Sequence, residues 1–251
     1  MFFNQLDIVP FILQCAFGLL LFYLEKTGRF QLAYSKFRKG GNTNARLAMI
    51  LIYAPAPLVY VAATILTGLK ISPYHEWLLY AFIIHFGKRC YEILFVHKYS
   101  RPMGMGTVFA IGTLYAGAAW SAATLHGSVS REAGHLVTVQ FWTWVGGAIF
   151  ASGQMINLYH HLLLAKLRKD GSTDYLVPTG GLFGWVACPH YLGEIIAWFG
   201  YAVMSGFLPV LGIAMIMSLY LLGRALRTLE WYRTNVSDFP ASRKALIPGI
   251  L

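Results

Sequence analysis

The amino-acid sequence predicts an all-α protein: a polytopic membrane bundle of seven transmembrane helices, with the N-terminus outside or lumenal and the C-terminus cytosolic. Three observations predict it. Only 12% of residues are charged and 57% are hydrophobic, whereas soluble domains average roughly a quarter charged. Apolar runs recur at 8–24, 47–68, 77–96, 107–125, 137–165, 182–205 and 207–223, and most approach the roughly 20 residues a spanning helix needs. Sixteen of the twenty Lys and Arg fall in 25–46, 98–106, 166–182 and 224–251, while the opposite connections hold Lys70 and Arg131. The excess of cations marks the cytosolic side, and an odd number of helices agrees with that orientation.

Each element follows in order. The first run is expected to be a retained helix rather than a cleaved leader, because acidic Asp7 precedes it and it has neither a basic start nor a small-residue cleavage site. The connection 25–46 is basic and glycine-bearing, and is expected on the cytosolic surface with Phe30, Leu32, Tyr34 and Phe37 at the lipid headgroups. The third run carries polar residues deep in apolar sequence. In 168–181, Gly171, Pro178, Gly180 and Gly181 mark turns between the fifth and sixth runs. Pro189 is suited to the first turn of a helix. Gly206-Phe207-Leu208-Pro209 separates the last two runs. No linker, repeat or low-complexity tract interrupts the chain, so 1–251 reads as one membrane domain.

Composition also excludes some classes. Cys15, Cys90 and Cys188 are too few and scattered for a disulfide frame or zinc site, and read as apolar fillers. The net charge of +10 is accounted for by topology. No soluble basic face with base-stacking aromatics is present, so nucleic acid is not an expected partner. A carrier or channel would be expected to show matching halves with broken helices, and no such symmetry is seen.

Four constellations carry chemistry. Glu194 and Glu92 are carboxylates within apolar runs, and such groups normally face a protein interior and a partner. His85, Lys88, Arg89 and Glu92 are spaced i, i+3, i+4, i+7 and so share one helical face. That stripe either lines a polar chamber or forms an internal salt bridge of Glu92 with Lys88 or Arg89. Asn157, His160 and His161 close the fifth run; the adjacent histidines point about 100° apart and would not chelate together, so no metal is expected. His190, Tyr191 and Glu194 follow Pro189 on the first turns of the sixth helix. Arg224, Arg227 and Thr228 share a face and suit a phosphate clamp, since guanidinium offers fork-shaped donors to phosphate oxygens.

These residues resemble a known family. Gly180-Gly181-Leu182-Phe183, Pro189-His190-Tyr191-Leu192-Gly193-Glu194-Ile195-Ile196, Trp198, Gly200-Tyr201-Ala202 and the closing Asp238–Pro248 segment look like the C-terminal domain of steroid 5α-reductases, over roughly 145–251. In the N-terminal half, His85–Ser100 and Tyr53-Ala54-Pro55 look more like trans-2-enoyl-CoA reductases of fatty-acid elongation. Two departures stand out: the Gln-Glu pair that steroid 5α-reductases carry near Ile52-Tyr53 is absent, and Phe86 stands where both groups usually place a tyrosine.

The resemblance implies reduction of a C=C bond conjugated to a carbonyl, with NADPH as cofactor and a lipophilic substrate reached from the bilayer. A 4-ene-3-oxosteroid is the lead substrate and a trans-2-enoyl thioester the alternative. It places the cofactor site on Arg101, Asn157, Arg168, Tyr175, His190, Glu194, Arg224 and Tyr232, with His161 and His190 at positions where the family more often has Asp and Asn. Arg227 joins that set from the clamp. The oxyanion formed after hydride addition needs donors placed where charge develops; Tyr53, Lys88 and Tyr191 are candidates, Glu92 orients Lys88, and a water is the other possible acid. A methyltransferase using S-adenosylmethionine shares the Pro-x-Tyr-x-Gly-Glu core, but the Asp238–Pro248 ending argues against it. The membrane would be the endoplasmic reticulum in a eukaryote or the inner membrane in a bacterium.

Overall fold

Apolar side chains face outward and polar ones inward in the first helix, the inverse of a soluble protein. In α1 (Ile8–Thr27) the buried residues are Gly18 and Glu25, while Val9, Ile12, Leu13, Leu19 and Leu20 are exposed. The computed structural model describes residues 7–29, 37, 41–68, 71–99, 102–132, 140–167 and 176–251. These form eight α-helices, α1 to α8, and two isolated β-bridges, with no strand among the described residues. Helices α2 (Ala45–Tyr53) and α3 (Pro55–Leu66) follow one another across Ala54, so the second apolar run is a rod with a break in it. Pro55 has no N–H to give and its ring crowds the preceding turn, which is the physical reason for the break.

Among the described residues, four segments are long and apolar enough to cross a membrane: Ile8–Thr27, Ala45–Leu66, Met105–Ser128 and Leu208–Asn235. The other expected runs are also helical, as α4 (Pro73–Tyr91), α6 (Phe141–Lys166) and α7 (Pro189–Ser205). Helix α7 has 17 residues, short of the roughly 20 that span a bilayer. Helix α4 carries His85, Lys88 and Arg89, which lower its apolarity.

The chain divides into two compact units: Met1–Gln31 with Ala148–Ala202 and Leu208–Leu251, and Leu32–Gly147 with Val203–Phe207. In the first, α1 lies along α8 (Leu208–Asn235) through small residues. A Cβ on Gly18 would come within 2.9 Å of Leu219 Cδ1, and one on Gly223 within 2.9 Å of the Phe22 carbonyl oxygen. Small residues let helices approach closely where lipid removes the hydrophobic drive for association. The closing segment returns to the start of α7: Ala187 and Cys188 donate their N–H groups to the carbonyls of Lys244 (2.8 Å) and Ala245 (3.0 Å). Cys188, Leu229, Tyr232, Phe239 and Leu246 form the core beneath, with Tyr232 and Phe239 stacked at 4.9 Å.

In the second unit, Asn44 caps α2 by accepting from Arg46 N and Leu47 N. Ser72 caps α4 by accepting from His75 N, and Pro73 occupies its first turn. Thr43 and Met103 exchange backbone hydrogen bonds, tying the approach to α2 to that of α5 (Met105–Glu132). The core between these helices is aromatic: Tyr53, Tyr60, Phe82, Phe86 and Tyr115 are all buried.

Candidate active site

In the first unit the site is set by a backbone approach between α6 and α7. A Cβ on Gly193 would fall 2.5 Å from Asn157 N and 2.8 Å from the Gly153 carbonyl oxygen. That proximity lets one amide span both helices: Asn157 Nδ2 donates to the His190 carbonyl (2.8 Å) and to Glu194 Oε2 (3.1 Å). Asn157 is 1% and Glu194 6% exposed, so the carboxylate is held in a desolvated place by a neutral donor. His161 packs beside His190 with ring centroids 5.4 Å apart, and His190 lies 4.2 Å from Tyr191. Asn157, His161, His190, Tyr191 and Glu194 are thus gathered around the start of α7.

The arginine clamp of the first unit is organised differently from a free phosphate fork. Arg224 is fully buried and donates from Nη1 to Glu25 Oε1 at 2.7 Å. Arg227, one turn on and half-buried, presses its guanidinium on Gly28, where a Cβ would meet Nη1 at 3.1 Å. Tyr232 sits in the core under the closing segment, stacked on Phe239. Arg101, Arg168 and Tyr175 lie outside the described residues, as do Phe30, Leu32 and Tyr34 of the basic connection.

In the second unit the stripe of α4 closes on itself and on α2. Glu92 is fully buried; its Oε2 accepts from Arg89 Nη1 at 2.8 Å, and Lys88 Nζ lies 3.5 Å from its Oε1. Arg89 Nη2 donates to the Tyr53 hydroxyl oxygen at 3.0 Å, and its guanidinium lies 4.9 Å from the Tyr53 ring centroid. Phe86 packs against Tyr53 and Tyr115, so an apolar ring fills the position next to the phenol. At Glu92 the helix widens into a π turn, Glu92–Val96, a local irregularity often found at functional sites.

Some contributing residues were missed by sequence, and others were singled out without their partners. Glu25 stands one residue past its apolar run, which made it look like part of the basic connection. Arg89 was read with the stripe, but its reach to Tyr53 crosses between helices. His160 fixes the turn at 181–184, accepting from Leu182 N at Nε2 (3.0 Å). Arg243 donates to the Pro178 carbonyl at 2.9 Å and so secures the segment leading to that turn. In the sequence His160 stands beside His161 at the end of the fifth run and Arg243 lies in the Asp238–Pro248 segment, but neither position gives its partner. Cys188 is buried in the core, and none of the three cysteines is in a disulfide.

Fold and site together define an all-helical protein whose apolar helices bury acid–base clusters rather than display them. A family model described as 3-oxo-5-alpha-steroid 4-dehydrogenase matches residues 106–251. The chain is 31% identical to 3-oxo-5-alpha-steroid 4-dehydrogenase 1 of Homo sapiens, over 94% of this chain and 92% of that protein. It is 28% identical to the Bos taurus form, over 95% of each, and 42% identical to 3-oxo-5-alpha-steroid 4-dehydrogenase 2 of Homo sapiens, over 42% of each. The chain belongs to the steroid 5α-reductase family, and it is an oxidoreductase acting on CH–CH groups.

Proposed function

We propose that this protein is an integral-membrane, NADPH-dependent reductase of a C=C bond conjugated to a carbonyl, with a 4-ene-3-oxosteroid as its substrate. Relatives spanning nearly the whole chain are named 3-oxo-5-alpha-steroid 4-dehydrogenase, and a 3-oxo-5α-steroid is what reduction of the 4-ene would give. The observation that carries the chemistry is the Arg89–Tyr53 hydrogen bond: a phenol that accepts from a guanidinium still has its own hydrogen to donate. The membrane arrangement we propose is seven spans in one domain, N-terminus outside and C-terminus cytosolic, in the endoplasmic reticulum of a eukaryote or the inner membrane of a bacterium.

The residues of the first unit fit NADPH. Glu194 is a buried carboxylate with acceptor capacity beyond its bond from Asn157, suited to the amide of a nicotinamide. Asn157, His161, His190 and Tyr232, with Arg101, Arg168 and Tyr175, complete the proposed cofactor set, and 145–251 carries most of it. Arg227 supplies positive charge for the phosphates, one turn from Arg224, whose own charge Glu25 pairs. When bound, NADPH supplies the hydride.

The chain's own residues then handle the substrate oxygen and the proton. Tyr53 donates a hydrogen bond, keeping its proton, to the substrate carbonyl, where negative charge grows as the β-carbon receives hydride. Arg89 holds that phenol in place and keeps positive charge behind it, while Glu92 fixes Arg89 and balances Lys88. Preorganised donors of this kind lower the barrier without reorganising during the reaction. The remaining proton reaches the α-carbon from Lys88, Tyr191 or water, giving the saturated ketone. Purified protein in detergent should consume NADPH with progesterone and not with a long-chain trans-2-enoyl-CoA. Turnover of the thioester alone would overturn the steroid assignment, and turnover of neither would overturn the reductase reading.

A further inference from the structure

Asn157, His160 and His161 stand together near the end of α6, and His160 alone of the three lies outside the proposed cofactor set. It is 2% exposed, and both of its ring nitrogens are engaged. Nδ1 lies 2.7 Å from the Ile156 carbonyl oxygen, one turn back along α6. A carbonyl can only accept, so Nδ1 carries the hydrogen. Nε2 is then a bare acceptor, and it takes the Leu182 N–H at 3.0 Å. The two partners fix one tautomer of the neutral ring. An imidazolium, a donor at both nitrogens, would face the Leu182 N–H with a hydrogen of its own.

The bond holds a turn that a glycine brings within reach. Gly181 has φ +51°, and a Cβ there would fall 2.8 Å from His160 Nε2 and 2.7 Å from Tyr159 Cε1. Leu182 belongs to the short 3-10 turn Gly181–Gly184. Arg243 secures the chain before that turn at the Pro178 carbonyl, and the Ala187 N–H secures it afterwards on the Lys244 carbonyl. His160 is the anchor within the turn itself. The turn delivers Phe183, which is 0% exposed. Its ring packs 5.4 Å from that of His160 and 6.2 Å from that of His190. His190 gives its carbonyl to Asn157 Nδ2 and packs beside His161. A path of contacts therefore runs from His160 through Leu182 and Phe183 to His190, Asn157 and His161, three members of the proposed cofactor set.

We propose that His160 is a positioning residue for NADPH binding: its Nε2 acceptor holds the 181–184 turn, and with it His190, in the conformation the cofactor meets. This rests on the NADPH reading of the same unit and deepens it. Without the acceptor the turn has to be set each time the cofactor binds, and the apparent affinity falls by the fraction of molecules already competent. The role is confined to binding, so the rate of the bound complex is not its concern.

The test uses the full chain in detergent and two substitutions at one position. His160→Gln sets an amide oxygen near the place of Nε2 and keeps the acceptor. His160→Asn sets its amide at the level of Nδ1 and loses the acceptor. The NADPH dissociation constant, read from quenching of intrinsic fluorescence, should rise about 5- to 100-fold in His160→Asn, the range that one unmet buried hydrogen bond carries. His160→Gln should stay within about threefold of wild type, and kcat on progesterone at saturating NADPH should stay within about twofold in both. A merely structural histidine would instead lower the melting temperature and leave the dissociation constant of the folded protein unchanged, and that result overturns the proposal. So does a His160→Gln protein that binds as weakly as His160→Asn. Should His160→Asn fail to fold, Gly181→Ala, which drives a methyl group against Nε2, takes its place: unchanged NADPH binding there overturns the proposal as well. If the wild type binds no NADPH, the cofactor reading itself fails, an outcome distinct from equal affinities across the variants.

Discussion

Glu25→Ala should be among the most destabilising single changes in this protein. The Glu25 and Arg224 side chains are 2% and 0% exposed, and their 2.7 Å contact joins α1 to α8. Removing the carboxylate strands a guanidinium away from water, and breaking one side of a buried pair costs about 3–5 kcal/mol. For a chain of this size each kcal/mol lowers the melting temperature by about 2–4 °C, so a fall of about 6–20 °C is expected. The double variant Glu25→Leu/Arg224→Met removes both charges and should recover most of that loss, since apolar replacement of a whole buried pair is often neutral. The assay is thermal unfolding of detergent-solubilised protein, followed by intrinsic fluorescence for the wild type and both variants. A Glu25→Ala protein melting within about 2 °C of wild type, less than about 1 kcal/mol on that scale, would show that water or another group compensates Arg224, and the account of α1–α8 docking would be wrong.

Three further outcomes follow from the same geometry. Gly193→Ala would drive a methyl group against Asn157 N at 2.5 Å, and should cost about 1–3 kcal/mol by overpacking; NADPH affinity measured by fluorescence quenching should fall with it because Asn157 and Glu194 separate. Tyr53→Phe removes a donor to the developing oxyanion and should lower kcat by about 10²–10³-fold with NADPH affinity unchanged; steady-state kinetics with progesterone decide it, and an undiminished kcat moves the donor to Lys88, Tyr191 or water. Phe239→Ala removes the ring stacked on Tyr232 and should destabilise by about 3–5 kcal/mol, read as a lower melting temperature.

Composition and periodicity determined the most general properties of this protein. A chain with 57% hydrophobic and 12% charged residues suits helices, whose backbone bonds are satisfied internally. The helical character of every expected run could be read from the sequence, as could the polar stripe on α4, because a helix carries its face in its own spacing. The association of Asn157 with Glu194 was legible only as membership of one family motif.

The partners across helices were decided by the tertiary structure. Nothing in the spacing of Glu25 and Arg224, 199 residues apart, says that α1 and α8 meet; that depends on glycines clearing the way between them. Arg89 lies on the predicted stripe, yet its bond to Tyr53 joins residues 36 apart in sequence and depends on how α2 packs beside α4. His75 and His126 lie just outside two different apolar runs, and packing puts them in one buried cluster. Local pattern sets which face of a helix is polar, whereas close approach between backbones sets which polar group it meets, and in a bilayer that approach depends on where small side chains happen to coincide.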